Sequence, residues 1–417
     1  MAKPKLALIP SSQGSKLYSV LPSSGVGDFS FSRSGGATRI NKDGLIETVA
    51  SGVSRLNYPM IDGVVKGCPH HILEPQRTNL IPFSEDFSNA VWEKNQSSIV
   101  ANAIISPDGS LNASKLIEDS SSNFHRIIEN VNTTIGTFSH SVFAKAGERK
   151  YFVLRNNING SNVNACFDLE NGVVVYNGFN EAKIENYGNG WYRCSIVEVD
   201  TSGGSTSFSL LTSNNEVTNN NIPSYQGDGV SGLYIYGAQV EQGSYATSYI
   251  PNYGTAAGVT RSAETANGSG DAATFNDSEG VLMAEINALD ESGGNREITL
   301  SDGTTSNRII IQYRDSSNIR IILAKSTGDE FDTSVIPFNT VEINKIAVKY
   351  KTNDFAFWVN GIEIYSDNTG NTFSTNTLSA INFDGGAGGN DFYGNVKQLQ
   401  YYDTALTDAE LQALTTI

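Results

Sequence analysis

GLYIYGAQVEQGSYATSYIPNYGTAAGVTRSAE, residues Gly232 to Glu264, reads as the last strand of one β module followed by the exit into another. Leu233 to Glu241 is short and bounded by glycines. Its second half alternates Ala238 and Val240 with Gln239 and Glu241, the pattern of a strand with one dry face and one wet face. Tyr245, Tyr249, Ile250 and Tyr253 follow, with Pro251 among them. Proline lacks the N–H that a central strand needs, so this apolar segment is expected to lie across the edge of the sandwich and to set how the two modules meet.

Outward from this stretch, turn and strand signals recur at the spacing of a sandwich. On the N-terminal side, Cys166 to Leu169 and Val173 to Tyr176 flank Glu170-Asn171-Gly172, and Gly190 to Val199 alternates Tyr192, Cys194 and Ile196 with Trp191, Arg193 and Ser195. An Asn-Gly pair between apolar runs marks a hairpin, because both central residues of its turn take positive φ. On the C-terminal side, Val281 to Ile286, Arg308 to Tyr313, Ile319 to Leu323 and Val341 to Tyr350 read as strands. In the last of these Ile346, Val348 and Tyr350 are expected inward, with Lys345, Lys349 and Lys351 in water. Phe355 to Val359 turns at Asn360-Gly361 into Ile362 to Tyr365. After a final strand, Val396 to Tyr402, the capping-box spacing of Thr407 and Glu410 predicts one short helix with Leu411 and Leu414 on its buried face.

The fold class predicted is therefore all-β, two antiparallel β-sandwiches in tandem with a short C-terminal helix. The expected divisions are 1–65, an N-terminal arm with a small β unit turning at Asp43-Gly44; 66–255, a sandwich of jelly-roll type; and 265–417, a second sandwich. Residues 1–28 are rich in Ser, Gly and Pro and are expected to form an extended arm.

At 417 residues the chain is long enough for two or three cores, and its formal charge of -16 argues against a nucleic-acid or anionic-membrane partner. No apolar run approaches a membrane span, and the basic start MAKPKLALIP has too short an apolar run for a signal peptide, so synthesis and folding in the cytosol are expected. Cys68, Cys166 and Cys194 are odd in number and lack CxxC spacing, which favours buried free thiols over a disulfide framework.

Three phrases carry a resemblance. Leu73 to Trp92 (LEPQRTNLIPFSEDFSNAVW), Gly188 to Arg193 (GNGWYR) and Tyr236 to Glu264 occur here in the order found in fibre, spike and other virion structural proteins of tailed bacteriophages. There they precede a laminin-G-like (concanavalin A-like) domain. Phe29 to Val49 is similar to the opening of the same proteins, and Trp358 to Gly361 (WVNG) and Leu406 to Leu414 (LTDAELQAL) are similar to segments of laminin-G-like domains. The resemblance implies a virion protein without enzymatic activity, a head or tail fibre or spike, attached to other virion proteins through the N-terminal arm. It also implies a homo-oligomer, with a trimer favoured, that contacts host-surface glycan. The alternatives are a polysaccharide depolymerase and an architectural decoration protein without a receptor.

The residues offer little chemistry beyond binding. Retaining glycosidases hold two carboxylates about 5–5.5 Å apart. The nearest pair, Glu198 and Asp200, has no third acid after it, and Asp290-Glu291 lies at an expected turn. His70, His71, His125 and His140 form no metal or triad pattern, and no phosphate loop or GxSxG motif occurs. No catalytic, cofactor or metal residue is assigned. Sandwiches of this kind often hold a structural calcium, and Asp271, Asp302, Asp384 and Asp391 are loop acids near glycines, though solvated turn aspartates are the commoner reading. A glycan site needs an exposed aromatic face beside amides or carboxylates. The candidates are Trp358, on the strand face opposite Phe355, Phe357 and Val359, and Tyr225 in the polar loop NNNIPSYQGDG. Burial against a partner chain is at least as good a reading of both.

Overall fold

The alternation at Ile346, Val348 and Tyr350 lines one inner wall of the C-terminal sandwich. A computed structural model of the chain describes residues 2–13, 16–289 and 294–417. The Asp290-Glu291 turn lies outside the described residues. Glu279–Ala288, Asn344–Lys351, Phe355–Val359, Ile362–Asp367 and Gly394–Tyr402 belong to an eleven-stranded sheet, which faces a six-stranded sheet built on Arg296–Ser301, Arg308–Asp315 and Asn318–Lys325. Leu282, Ile286, Ile346, Val348, Phe357 and Leu399 of the first sheet meet Ile298, Ile309, Ile311, Ile321 and Leu323 of the second in one dry core. Burying side chains of this size gives about 1.5–3 kcal/mol each, which makes this core the main stabilising feature of the C-terminal half.

The opening residues differ from expectation. They are not an arm. Leu6–Gln13 pairs antiparallel with Gly394–Tyr402, Leu6 opposite Tyr401 and Leu8 opposite Leu399, and Lys16–Leu21 and Phe29–Ser32 extend the same sheet. Leu6, Leu8, Leu17, Phe29 and Phe31 all enter the C-terminal core. A Ser- and Gly-rich average concealed a two-residue alternation, and the pairing partner lies at the far end of the chain. His70–Leu73 pairs with the other end of Gly394–Tyr402, so both flanks of the sequence build the C-terminal sandwich.

The central sandwich is therefore an insertion. One of its sheets orders Glu93–Asn95, His125–Thr133, Gly204–Ser213, Tyr151–Ile158, Ser161–Asp168 and Val173–Asn177. The other orders Ser97–Ile105, Leu111–Glu118, Gly232–Gln242, Gly136–Lys145, Trp191–Asp200 and Glu181–Gly188. Phe138, Val142, Phe152, Leu154, Phe167, Cys194, Ile196, Phe208 and Ile235 fill the space between them. The chain enters on Arg77–Asn79 and leaves on Val259–Arg261, and these two strands pair side by side as a neck.

The outer faces are covered too, and several polar expectations change as a result. Gln239 and Glu241 are fully buried, because the chain after Gly243 folds back over the sheet face instead of lying across its edge. Glu241 accepts the Thr247 N–H at 2.6 Å and hydroxyl at 2.7 Å, and Gln239 accepts the Ile250 N–H at 2.6 Å. Tyr249 packs with Phe143 and Tyr236 on that face, while Tyr253 is 73% exposed. On the C-terminal sandwich the helix Asp408–Thr415, capped by Thr407 and Glu410 as expected, lies over the outer face of the large sheet. Lys349, expected in water, is buried there beside Asp354 at 2.6 Å. Among the described residues, no helix is long and apolar enough to cross a membrane.

A buried ionic network closes the neck. Glu264 accepts Arg33 Nη1 at 2.7 Å, Arg55 Nε at 2.8 Å and the Glu74 N–H at 3.0 Å, with Arg55 Nη2 on its second oxygen. Glu74 takes Arg55 Nη2 at 2.7 Å and Arg261 Nη1 at 2.8 Å. The guanidiniums of Arg261 and Arg55 outweigh the cost of burial and hold the Glu74 carboxyl down at about 2. These residues join the N-terminal strands, the neck and the start of the C-terminal sandwich in one charge cluster.

Candidate functional site

The expected aromatic platforms are not available to a ligand. Trp358 is 7% exposed, packed beneath Leu411 and Leu414 of the helix, and Tyr225 is 8% exposed. The Tyr225 hydroxyl donates to Glu118 at 2.7 Å, and the Arg149 guanidinium lies 5.8 Å from its ring centre. Trp358 lies on the expected strand face, which the helix covers, and Tyr225, expected in a polar loop, pairs through Tyr225–Gln226 with Ser122–Asn123 and packs edge-on against His125.

The other sequence candidates are also separated from one another. Glu198 turns into the central core, where it accepts His140 Nε2 at 2.8 Å, and Asp200 accepts Thr133 and the N–H groups of Ser202 and Gly203 at a turn. They do not flank a cleft. His125 bonds to the Gln96 carbonyl. Burial pushes His70 down to about 4 and His71 to about 3, with Lys397 adding to the shift at His70 and His70 to that at His71. Asp271 and Asp302 cap their own turns. Asp384 accepts the Gly386 N–H and Asp391 accepts the Tyr393 hydroxyl. Among the described residues, no group of three or more His, Cys, Asp or Glu side chains is placed to hold a metal ion. Cys166 and Cys194 are buried free thiols and Cys68 is an exposed one.

An aromatic and amide site does form elsewhere, along the open edge of the central sandwich. The hairpin Met60–Ile61/Val64–Val65 turns on Asp62 and Gly63, both at positive φ, and its tip rests on the edge strand Glu181–Gly188. Glycine is required at the contact: a Cβ on Gly188 would run into the Gly63 carbonyl, and one on Gly63 into Asn186. Between hairpin, edge strand and the Asn171-Gly172 turn lies a groove of about 630 Å³, with Tyr58, Tyr187 and Tyr192 on its walls and Asn57, Asn171, Asn186, Asp62 and Glu185 around them.

Two of the three rings are held in place. Tyr187 stacks edge-on against Phe143 with ring centres 4.9 Å apart, and Tyr192 lies over Gly172, where a Cβ would come within 2.7 Å of the ring. Burial pushes the Tyr187 hydroxyl up to about 12, partly opposed by Arg193. Asn57 is oriented by the Ile40 N–H at 2.8 Å, and Asn171 donates to Asp168 at 2.8 Å. Half-buried tyrosine rings beside amides and carboxylates suit a polyol with an apolar face. The sequence separates these residues by more than a hundred positions. The available signals were the Asp62-Gly63 turn and the alternation that places Tyr192.

The comparisons bear on the C-terminal half. Residues 283–412 match the family model of the concanavalin A-like lectin/glucanases superfamily. The C-terminal sandwich is concanavalin A-like. The match begins within Glu279–Ala288 and ends in the helix, so the N-terminal strands that complete the large sheet fall outside it. Among solved structures, the carbohydrate-binding module CBM40 of the Ruminococcus gnavus IT-sialidase aligns at 16% identity over 35% of this chain and 92% of that one, with a TM-score of 0.30. Domain 4 of the Geobacillus stearothermophilus arabinanase AbnA aligns at 15% identity over 37% and 73%, TM-score 0.30. Mouse laminin α1 domains LG4-5 align at 10% over 69% and 90%, TM-score 0.23. At these scores none of the three bears on what the chain binds. A search of curated proteins found no match.

Proposed function

We propose that this chain is a non-catalytic structural subunit of a tailed-phage particle, a head or tail fibre or spike, that contacts host-surface glycan through the tyrosine groove of its central sandwich. The observation that carries the binding part is the groove itself: three half-buried tyrosines with ordered amides and two carboxylates along one open sheet edge. The virion part rests on the order of the phrases at Leu73–Trp92, Gly188–Arg193 and Tyr236–Glu264. Attachment to other virion proteins is proposed through the surface of residues 1–65, as folded strands and not as a free arm. Side-by-side association into a trimer belongs to the same reading.

The test is a glycan array probed with the full chain and with Tyr192→Ala. The expected result is binding to neutral oligosaccharides that falls about tenfold in the variant, the scale of one lost aromatic contact. No binding by the full chain, or equal binding by both, overturns the glycan reading. Immunogold imaging of intact particles tests the virion assignment, and release of reducing ends from host polysaccharide would replace the non-catalytic reading by a depolymerase.

A further inference from the structure

We propose that Arg126 and Arg155, on the outer face of the central sandwich, hold a phosphate dianion, carried on a sugar or free. The strand Gly204–Ser213 runs between the two strands that carry them, with Leu211 opposite Arg126 and Ser209 opposite Arg155. Ile127 and Leu154, the residues next to them in sequence, point into the core. Both arginines therefore point outward, and both are half-buried there. The edge strand under the tyrosine groove belongs to the other sheet of this sandwich.

One ring brings the two cations together. Arg126 Cζ lies 5.5 Å from the centre of the Phe124 ring and Arg155 Cζ 5.9 Å from the same centre. Stacking on an aromatic orients a guanidinium without using its N–H groups. Phe124 itself packs against Val153, Leu211 and Val217, a small apolar cluster on this face, so the platform is fixed before any ligand arrives. Restricting flexible cations in this way lowers the entropy lost on binding.

Like charges held against one ring repel, and elsewhere the chain neutralises its arginines. It carries a formal charge of -16, and Arg33, Arg55, Arg149, Arg261, Arg308 and Arg320 each meet a carboxylate. Among the described residues, no carboxylate pairs with Arg126 or Arg155, and each Nε is shut away from solvent without an acceptor. Burial lowers the pKa of both; Glu93 opposes the shift at Arg126, whereas the charge of Arg126 adds to it at Arg155. A single carboxylate would occupy one guanidinium fork. A phosphate group carries about -1.5 to -2 charge and three strong acceptor oxygens, enough to take a fork from each arginine.

Isothermal titration of the full chain in low salt at about pH 7.5, where a phosphate monoester is mostly dianionic, tests the proposal. The ligands are mannose 6-phosphate, inorganic phosphate, mannose 6-sulfate and mannose. The expected result is that at least one phosphate ligand binds, that the singly charged sulfate ester binds more weakly, and that added salt weakens both. Tighter binding of mannose 6-phosphate than of inorganic phosphate assigns the site to a phosphorylated glycan; equal or tighter binding of the inorganic ion assigns it to free phosphate. Arg126→Gln and Arg155→Gln should each weaken phosphate about tenfold or more, the scale of one lost hydrogen bond to a charged group, and leave any binding of mannose unchanged. Because both side chains pack on Phe124, Ser209→Asp is a further variant. It sets a carboxylate directly opposite Arg155, within cross-strand reach, and should weaken phosphate to the same extent in a protein that still melts cooperatively. Failure of both phosphate ligands to bind, sulfate ester binding as tightly as phosphate, or phosphate binding unchanged in Ser209→Asp would each overturn the proposal, and none of these results bears on neutral glycan in the tyrosine groove.

Discussion

Removing the charge of Glu264 tests whether the neck is a rigid joint. Three guanidiniums, Arg33, Arg55 and Arg261, surround the carboxylates of Glu74 and Glu264, and the Arg33, Arg55 and Glu264 side chains are fully buried. Glu264→Gln keeps the shape but leaves three positive charges against Glu74 alone, since burial raises the pKa of neighbouring Glu241 and disfavours its charge. Either orientation of the amide also sets an NH2 donor against a guanidinium N–H, because both carboxylate oxygens accept from Arg55. Removing one partner of a buried pair costs about 3–5 kcal/mol. Glu47→Gln, which removes the partly exposed Arg39–Glu47 pair, is the control and should cost under about 1 kcal/mol.

Urea unfolding followed by tryptophan fluorescence reads both sandwiches, since Trp92 and Trp191 lie in the central one and Trp358 in the C-terminal one. Glu264→Gln should lower the midpoint and separate the two transitions, because the charge cluster ties the neck to both. The pH dependence has a definite sign. Glu74 has a folded pKa of about 2 against an ordinary 4.5, so its contribution is complete above about 4.5 and is lost as pH falls from there towards 2. If Glu264→Gln costs no more than Glu47→Gln, and the transitions stay merged, the network is not what couples the sandwiches.

Glu129 sits on the inward side of its strand between Ile127 and Val131, and burial raises its carboxyl to about 7. A raised carboxyl binds its proton more tightly in the folded state, so stability should fall as pH rises from about 4.5 to 7, and Glu129→Gln should stabilise the protein at pH 8 but not at pH 4, read by thermal melts at both pH values. Leu411→Ala removes the fully buried anchor of the terminal helix; a loss of about 2–5 kcal/mol in helix docking, with a red shift of Trp358 emission, is expected in urea titration. Thiol titration of the native protein should report one fast group, Cys68, because Cys166 and Cys194 are buried and burial pushes the Cys166 thiol up to about 11; three fast groups would contradict the buried positions.

Local signals in the sequence were reliable where the physics is local. Asn360 and Gly361 take the positive φ that a two-residue hairpin demands, and Thr407 with Glu410 closes the helix start. Inward alternation at Ile346, Val348 and Tyr350 follows from the two-residue period of a strand. What was not legible depends on a second layer or a distant partner. Trp358 and Lys349 occupy the expected face, but nothing in their own strands says that a helix some fifty residues later covers that face. Gln239 and Glu241 look like solvent positions until residues 247–250 return to bond them. Tyr58, Tyr187 and Tyr192 come together along one groove only because a two-strand hairpin from the N-terminal region lands on an edge strand of the inserted sandwich.

The insertion changes how the chain could carry load. In a tandem array a single linker joins neighbouring domains, and rotation about it is resisted only by whatever interface they share. Here two paired strands cross from one sandwich to the other, Arg77 opposite Arg261 and Asn79 opposite Val259. The Asn79 amide bonds to Ala238 and Ile250 carbonyls on the central side, and the Arg55–Glu74–Glu264 cluster closes the other end. Twisting or tilting must therefore break strand pairing or separate buried charges, both costly. The Leu6–Gln13 strand, in turn, lies beside Gly394–Tyr402 and cannot act as a tether without opening the large sheet. A force applied to the central sandwich thus passes through the neck into the sheet that contains the N-terminal strands.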